Sequence, residues 1–160
     1  MRFEVDVTGL EGVLEALSRA EDDALLRAAQ KGMSKGLEEI RGDAQANAPK
    51  DEGELVEKIK TRIRMEKGGM VGEVYSAAPH SIYVEMGTGP RGEASHEGVN
   101  PAWAQEVTYS PQGWKAPIKG AVRFIRGYPA RPFLYPAFKA KQGKVKKLIQ
   151  EQIHRQVTGG

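Results

Sequence analysis

The sequence has no cysteine. That excludes a disulfide framework, thiolate metal sites and thiolate nucleophiles, and it fits a reducing compartment or an assembly that holds together by packing. No run of residues is both apolar and uncharged over the length that crosses a bilayer. Met1 to Val7 also lacks the apolar core of a signal peptide, so the expectation is a soluble chain made in the cytoplasm with no membrane partner. No internal repeat, nucleophile elbow or catalytic triad is visible. Only three histidines are present, which leaves little material for a metal site or for acid–base work near neutral pH.

What is present is charge, unevenly placed. The formal net charge is +3 over 160 residues. Up to Lys60 there are nine basic and fourteen acidic residues; from Thr61 onward there are fifteen and seven. An acidic front and a basic back suit either two faces with different partners or a self-complementary contact between copies. The length is that of one domain, so a single domain over residues 1–160 is expected, with enough chain to bury a substantial core.

Hydrophobic periodicity predicts the elements. Phe3, Val5 and Val7 alternate with Glu4, Asp6 and Thr8, which reads as a half-buried strand. Leu10, Val13, Leu14 and Leu17 fall at helical spacing. Asp22 and Asp23 open a longer helix whose face runs through Leu25, Ala29, Met33, Leu37, Ile40 and Ala44, until Pro49 prevents continuation. Gly32, Gly36 and Gly42 weaken that helix by about 1 kcal/mol each against alanine. Because Gly32 and Gly36 share one side, they suit a close neighbour there. Ile59, Thr61, Ile63 and Met65 alternate with charged residues and turn at Lys67-Gly68-Gly69 into a second strand, Met70 to Ser76, making a hairpin. Tyr83-Val84-Glu85 reads as a strand running into a glycine turn, and residues 88–101 as a long flexible loop. Turn residues at 110–113 and apolar residues from Trp114 to Phe124 suggest further strands. Pro132 and Pro136 bracket the start of a last helix with Leu134, Phe138, Val145, Leu148, Ile149 and Ile153 on one face and five lysines opposite. The expected fold class is α+β, an antiparallel sheet packed against a long N-terminal helix and a C-terminal helix.

Candidate chemistry is thin. Gly87-Thr88-Gly89-Pro90-Arg91-Gly92 matches G-x-G-x-x-G, but no βαβ alternation surrounds it, as a dinucleotide site requires. His80, Glu85 and His96 have no metal-ligand spacing. Adjacent carboxylates such as Glu38-Glu39 point apart. These readings give no enzyme, no cofactor and no metal. A basic stripe of Lys58, Lys60, Arg62 and Arg64, together with the lysines of the last helix, offers the alternative of sequence-independent DNA binding. Those stripes lack the interleaved aromatic residues that stacking platforms use.

Three segments carry the most information: Asn47-Ala48-Pro49-Lys50-Asp51-Glu52-Gly53-Glu54-Leu55, Tyr83-Val84-Glu85-Met86-Gly87-Thr88, and Ala130-Arg131-Pro132-Phe133-Leu134-Tyr135-Pro136-Ala137. In this order they resemble the neck and tail-component family of long-tailed double-stranded-DNA bacteriophages. Glu52 and Met86 depart from the threonine and the aromatic residue usual at those places. The resemblance implies a structural virion protein assembled in the host cytoplasm. It would join the DNA-filled head to the tail or complete the head-proximal end of the tail, as a ring subunit touching itself, other neck or tail proteins and packaged DNA. It also implies structural or interface roles for Pro49, Asp51, Gly53, Glu85, Gly87, Thr88, Arg131, Pro132 and Phe133. Locally, Gly87 is expected at positive φ, Glu85 is expected to pair with Arg131, and the 88–101 loop to order on docking.

Overall fold

The computed structural model describes residues 1–5, 10, 12–13, 23–50, 53–66 and 69–159. In chain order its elements are β1 (Arg2–Glu4), α1 (Asp23–Asn47), α2 (Gly53–Glu57), β2 (Ile59–Glu66), β3 (Gly69–Ser76) and α3 (Ser81–Met86). They continue with α4 (Gly89–Glu93), α5 (Pro101–Glu106), β4 (Trp114–Ile118), β5 (Ala121–Ile125) and α6 (Leu134–Thr158). Most of the expected helix around Leu10 to Leu17 lies outside the described residues, as do Val7, Asp51 and the Lys67-Gly68 turn.

The α+β expectation holds. β1, β3 and β2 form an antiparallel sheet in that order, and α1 lies across one face of it. Alternation decides which side chains face the helix: Met70, Gly72 and Val74 of β3 share that face with Ile59, Thr61, Ile63 and Met65 of β2. A side chain at Gly72 would meet Met33 and Leu37 of α1, so the strand's lack of one there lets the helix sit close. Met33, Leu37 and Ile40 are fully buried between the sheet and α6. Phe3 of β1 stacks between Trp103 and Phe138, with centroids 4.6 and 4.9 Å away.

Helices α1 and α6 run antiparallel and touch along their length. Their closest approach is made possible by glycine: a Cβ built on Gly32 would lie 2.5 Å from Ile149 Cα, and one on Gly36 would lie 2.7 Å from a Val145 methyl. Gly42, on the same helix, is different, for nothing lies within 4 Å of its missing Cβ. Gly42→Ala is therefore expected to raise stability by about 0.5–1 kcal/mol, by removing backbone freedom without adding a clash. A denaturant melt of the single variant checks it.

Two expectations are corrected. Tyr83-Val84-Glu85 belongs to a helix, not a strand. Three residues are too few for period two to mean much, and the buried positions Ser81 and Glu85 fall at helical spacing. Residues 88–101 are also more regular than a loop. Pro90 sits in the first turn of α4, and Asn100 caps α5 by accepting from the Ala102 N–H at 3.0 Å, with Pro101 beginning the helix. That Asn-Pro start signal is in the sequence.

The basic residues Lys60, Arg62 and Arg64 lie on one face of β2, and ion pairs engage most of the stripe. The register of β2 against β3 sets Arg62 opposite Glu73, on the sheet face away from α1. The Glu73 side chain is fully buried beneath Arg62, Arg64 and Arg2, which reach it at 2.6, 2.7 and 3.2 Å. Lys58 precedes β2 and pairs with Glu54 at 3.0 Å. Only Lys60 of the four is left without an ion pair among the described residues. On the last helix, Lys144 and Lys141 pair with Glu39 and Asp43 of α1. Of the acidic front, Glu4, Glu39 and Asp43 pair with Arg64, Lys141 and Lys144 of the basic back inside one copy of the chain.

Burial pushes the Glu73 carboxyl up, but the hydrogen bonds from Arg62, Arg2 and Arg64 outweigh it and hold the pKa below the ordinary 4.5. A depressed folded-state pKa gives stability that is present above 4.5 and is lost as pH falls through the folded value. Acid titration of the unfolding midpoint is expected to show that loss, and Glu73→Gln should shrink its acid limb.

Candidate functional site

Helix α6 begins without a capping side chain of its own: Phe133, at the N-cap, makes no such bond. The first turn of any helix leaves backbone N–H groups unpaired, and here they are buried with Phe133 and Leu134 in the core. Glu85 of α3 supplies the missing acceptor. Its Oε2 accepts from the N–H groups of Phe133 and Leu134 at 2.8 and 3.0 Å, and its Oε1 accepts from Tyr135 at 2.9 Å. Pro136 follows with no N–H to satisfy. The expected Glu85–Arg131 pair is therefore replaced by a carboxylate capping a helix some fifty residues away in sequence. Burial raises the pKa of this carboxyl, against the lowering effect of the three backbone bonds.

The neighbouring residues lock the same junction. Gly87 follows α3 at φ 72°, where a side chain would press within 2.7 Å of the backbone at Ala130, Gly92 and Tyr128. Thr88 and Tyr128 exchange backbone hydrogen bonds at 2.9 and 3.1 Å, and the Thr88 hydroxyl accepts from the same Tyr128 N–H. The Arg131 N–H donates to the Val84 carbonyl at 2.8 Å. From the first segment, Asn47 Nδ2 donates to the Phe133 carbonyl at 3.5 Å.

All three informative segments consequently meet at one end of the α1–α6 pair. Between them opens a cleft of about 550 Å³, walled by Pro49, Tyr83, Val84, Thr88, Tyr128 and Arg131. A shallower hollow beside it is lined by Asn47, Pro49, Lys50, Arg131 and Pro132. The candidate residues divide by what they touch. Glu85 and Phe133 are fully buried and hold the junction; Gly87 permits its backbone crossing; Pro49, Thr88 and Arg131 face the cleft. Pro132 lies against Gly98. Gly53 opens α2 on the surface, with nothing near its missing Cβ. Asp51 is outside the described residues.

Tyr83, singled out only as the start of the second segment, and Tyr128, not singled out at all, stand 61% and 66% exposed on this wall and border a second groove as well. Tyr109 is another addition: its hydroxyl donates to the Met86 carbonyl at 2.7 Å and lies 3.1 Å from His96 Nε2. The suggested trio of His80, Glu85 and His96 is not assembled for metal binding, since Glu85 is committed to α6 and His96 to Tyr109. Among the described residues no group of three or more His, Asp or Glu side chains could hold an ion. The geometry is that of a rigid junction with an open, partly aromatic surface, suited to holding another polypeptide.

Comparison with known families adds one finding. A family model described as "Bacteriophage HK97-gp10, putative tail-component" matches residues 11–87, just under half of the chain. This supports a bacteriophage neck and tail-component family and a tail-component role. The matched span contains the first segment and the second up to Gly87; the third is tied to it by the Glu85 cap. No curated protein and no solved structure matches the chain.

Proposed function

We propose, from that tail-component match as premise, that this protein is a structural subunit of a bacteriophage virion that joins the DNA-filled head to the tail or completes the tail's head-proximal end. It works as a member of a ring, assembled in the host cytoplasm, and its partners are copies of itself and other neck or tail proteins. One observation carries the reading: the three family-like segments, far apart in sequence, converge on one rigid junction with an open cleft. A connector needs such a fixed surface, because a ring closes only when every subunit presents its neighbours with the same geometry. The role is positional, not catalytic. DNA binding through the β2 stripe is the weaker reading, because Glu73, Glu4 and Glu66 already pair with Arg62 and Arg64.

Electron microscopy of particles made without the protein tests this. Filled heads and tails that remain separate, or tails with an unfinished head-proximal end, are the expected result. Normal, infectious particles from the same cells would overturn the proposal.

A further inference from the structure

Among the helices and strands, those of the β4–β5 hairpin pack extensively only on each other. Its register places Lys115 beside Phe124 and Pro117 beside Val122, so these four share one face. Val122 and Phe124 are 72% and 57% exposed. Such a pair of large apolar side chains on one face of the ribbon is a contact surface without its contact. The hairpin region also carries Lys115, Lys119, Arg123 and Arg126, and no acid occurs anywhere from Val107 to Gln150. None of those four cations has an ion pair among the described residues.

A complementary surface lies on the same molecule. A groove of about 490 Å³ is walled by Tyr83, Gly87, Val107, Tyr109, Trp114 and Tyr128. Three acids adjoin its walls along the chain: Glu106 precedes Val107, Glu93, which adds to burial in raising the pKa of the Tyr109 phenol, follows Gly92, and Glu97 follows His96, which faces Tyr109. All three are exposed, and they too lack ion pairs among the described residues. The groove cannot be filled by its own hairpin's apolar face. Trp114 lines it, and strand alternation puts Val122 and Phe124 on the opposite side of the ribbon from Trp114.

We infer that the groove receives the hairpin of a second copy of this chain, with Val122 and Phe124 seated among the tyrosines and Lys115, on the same face, and Lys119, at the hairpin tip, facing Glu93, Glu97 and Glu106. This deepens the ring reading proposed above and rests on it. Hairpin and groove are different surfaces of one subunit, so the contact is head-to-tail and repeats from copy to copy, as a ring requires. Opposite charge on the two halves steers the encounter and disfavours hairpin–hairpin pairing.

Sedimentation of the purified full-length chain over a range of concentrations and salt tests the inference. The wild type is expected to self-associate, less so at high salt. Val122→Ser with Phe124→Ser disables the hairpin, and Glu93→Lys with Glu106→Lys disables the groove rim; each pair should weaken association by about tenfold or more. All four side chains are exposed, so thermal unfolding should stay near wild type. Mixing the two variants should restore dimers and nothing larger, because only one intact hairpin and one intact groove then meet. If both variants assemble like the wild type, the contact lies elsewhere and the interface is overturned while the ring reading stands. A wild type that stays monomeric at every concentration overturns both. If the hairpin variant associates normally but loses retention of double-stranded DNA, the hairpin serves packaged DNA and the inference falls.

Discussion

Glu85→Ala is expected to destabilise the protein by about 3–5 kcal/mol, because it strands two fully buried backbone N–H groups and a third at the start of α6. No other acceptor is in place, since Phe133 makes no side-chain cap. Glu85→Gln should cost less: its amide oxygen keeps an acceptor for part of the set, while its NH₂ meets an N–H that it cannot satisfy. The pH dependence separates the two causes. A carboxyl whose folded-state pKa is raised gives stability that is fully present below its unfolded value and is lost as pH rises through the folded value. The wild type should therefore lose a component of stability on rising above pH 4.5 that the glutamine variant does not lose, opposite in sign to the contribution of Glu73. Denaturant midpoints measured across that range on the three proteins decide it. An alanine variant with wild-type stability would mean that the start of α6 does not depend on the cap.

Gly32→Val is the second large effect. The first carbon of any side chain there would stand 2.5 Å from Ile149 Cα and 2.6 Å from the Leu148 carbonyl oxygen, both backbone atoms that cannot rotate away. The helices must separate along a contact that buries Met33, Val145 and Ile149, at a cost of about 3 kcal/mol by overpacking. Gly36→Ala should be milder, because its neighbour is the Val145 side chain, which has some freedom to shift. Gly42→Ala supplies the internal control for Gly36→Ala: same helix, same substitution, no clash. If Gly32→Val and Gly42→Ala shift the unfolding midpoint alike, helix propensity and not the α1–α6 contact governs this element.

These two sites differ in how far the sequence foretold them. The spacing of Gly32 and Gly36 announced a close neighbour, because helical period alone puts them on one side; that the neighbour is Ile149 and Val145 is a matter of the folded chain. Glu85 was visible as part of a segment, yet its assignment to Arg131 followed charge alone. A carboxylate can be satisfied as well by backbone donors, and nothing in a sequence tells which donors a helix start leaves unpaired.

Local regularities were determined by the sequence by itself. Both long helices, the β2–β3 hairpin and the α+β class follow from apolar periods of 3.6 and 2 and from prolines and glycines at their ends, which are properties of neighbours along the chain. Tertiary structure decided what those elements do to one another. It made Tyr83 to Met86 a helix, because burial of Ser81, Glu85 and Met86 outweighs the strand preference of tyrosine and valine. It folded Arg62 and Arg64 over Glu73, turning an apparent DNA-binding stripe into an ion cluster on the sheet surface. It also brought Pro49, Thr88 and Arg131 to one cleft. The reason is the same each time: periodicity is written between residues a few positions apart, whereas charge neutralisation, capping and surface formation depend on pairings across long sequence separations, which only the packed chain fixes.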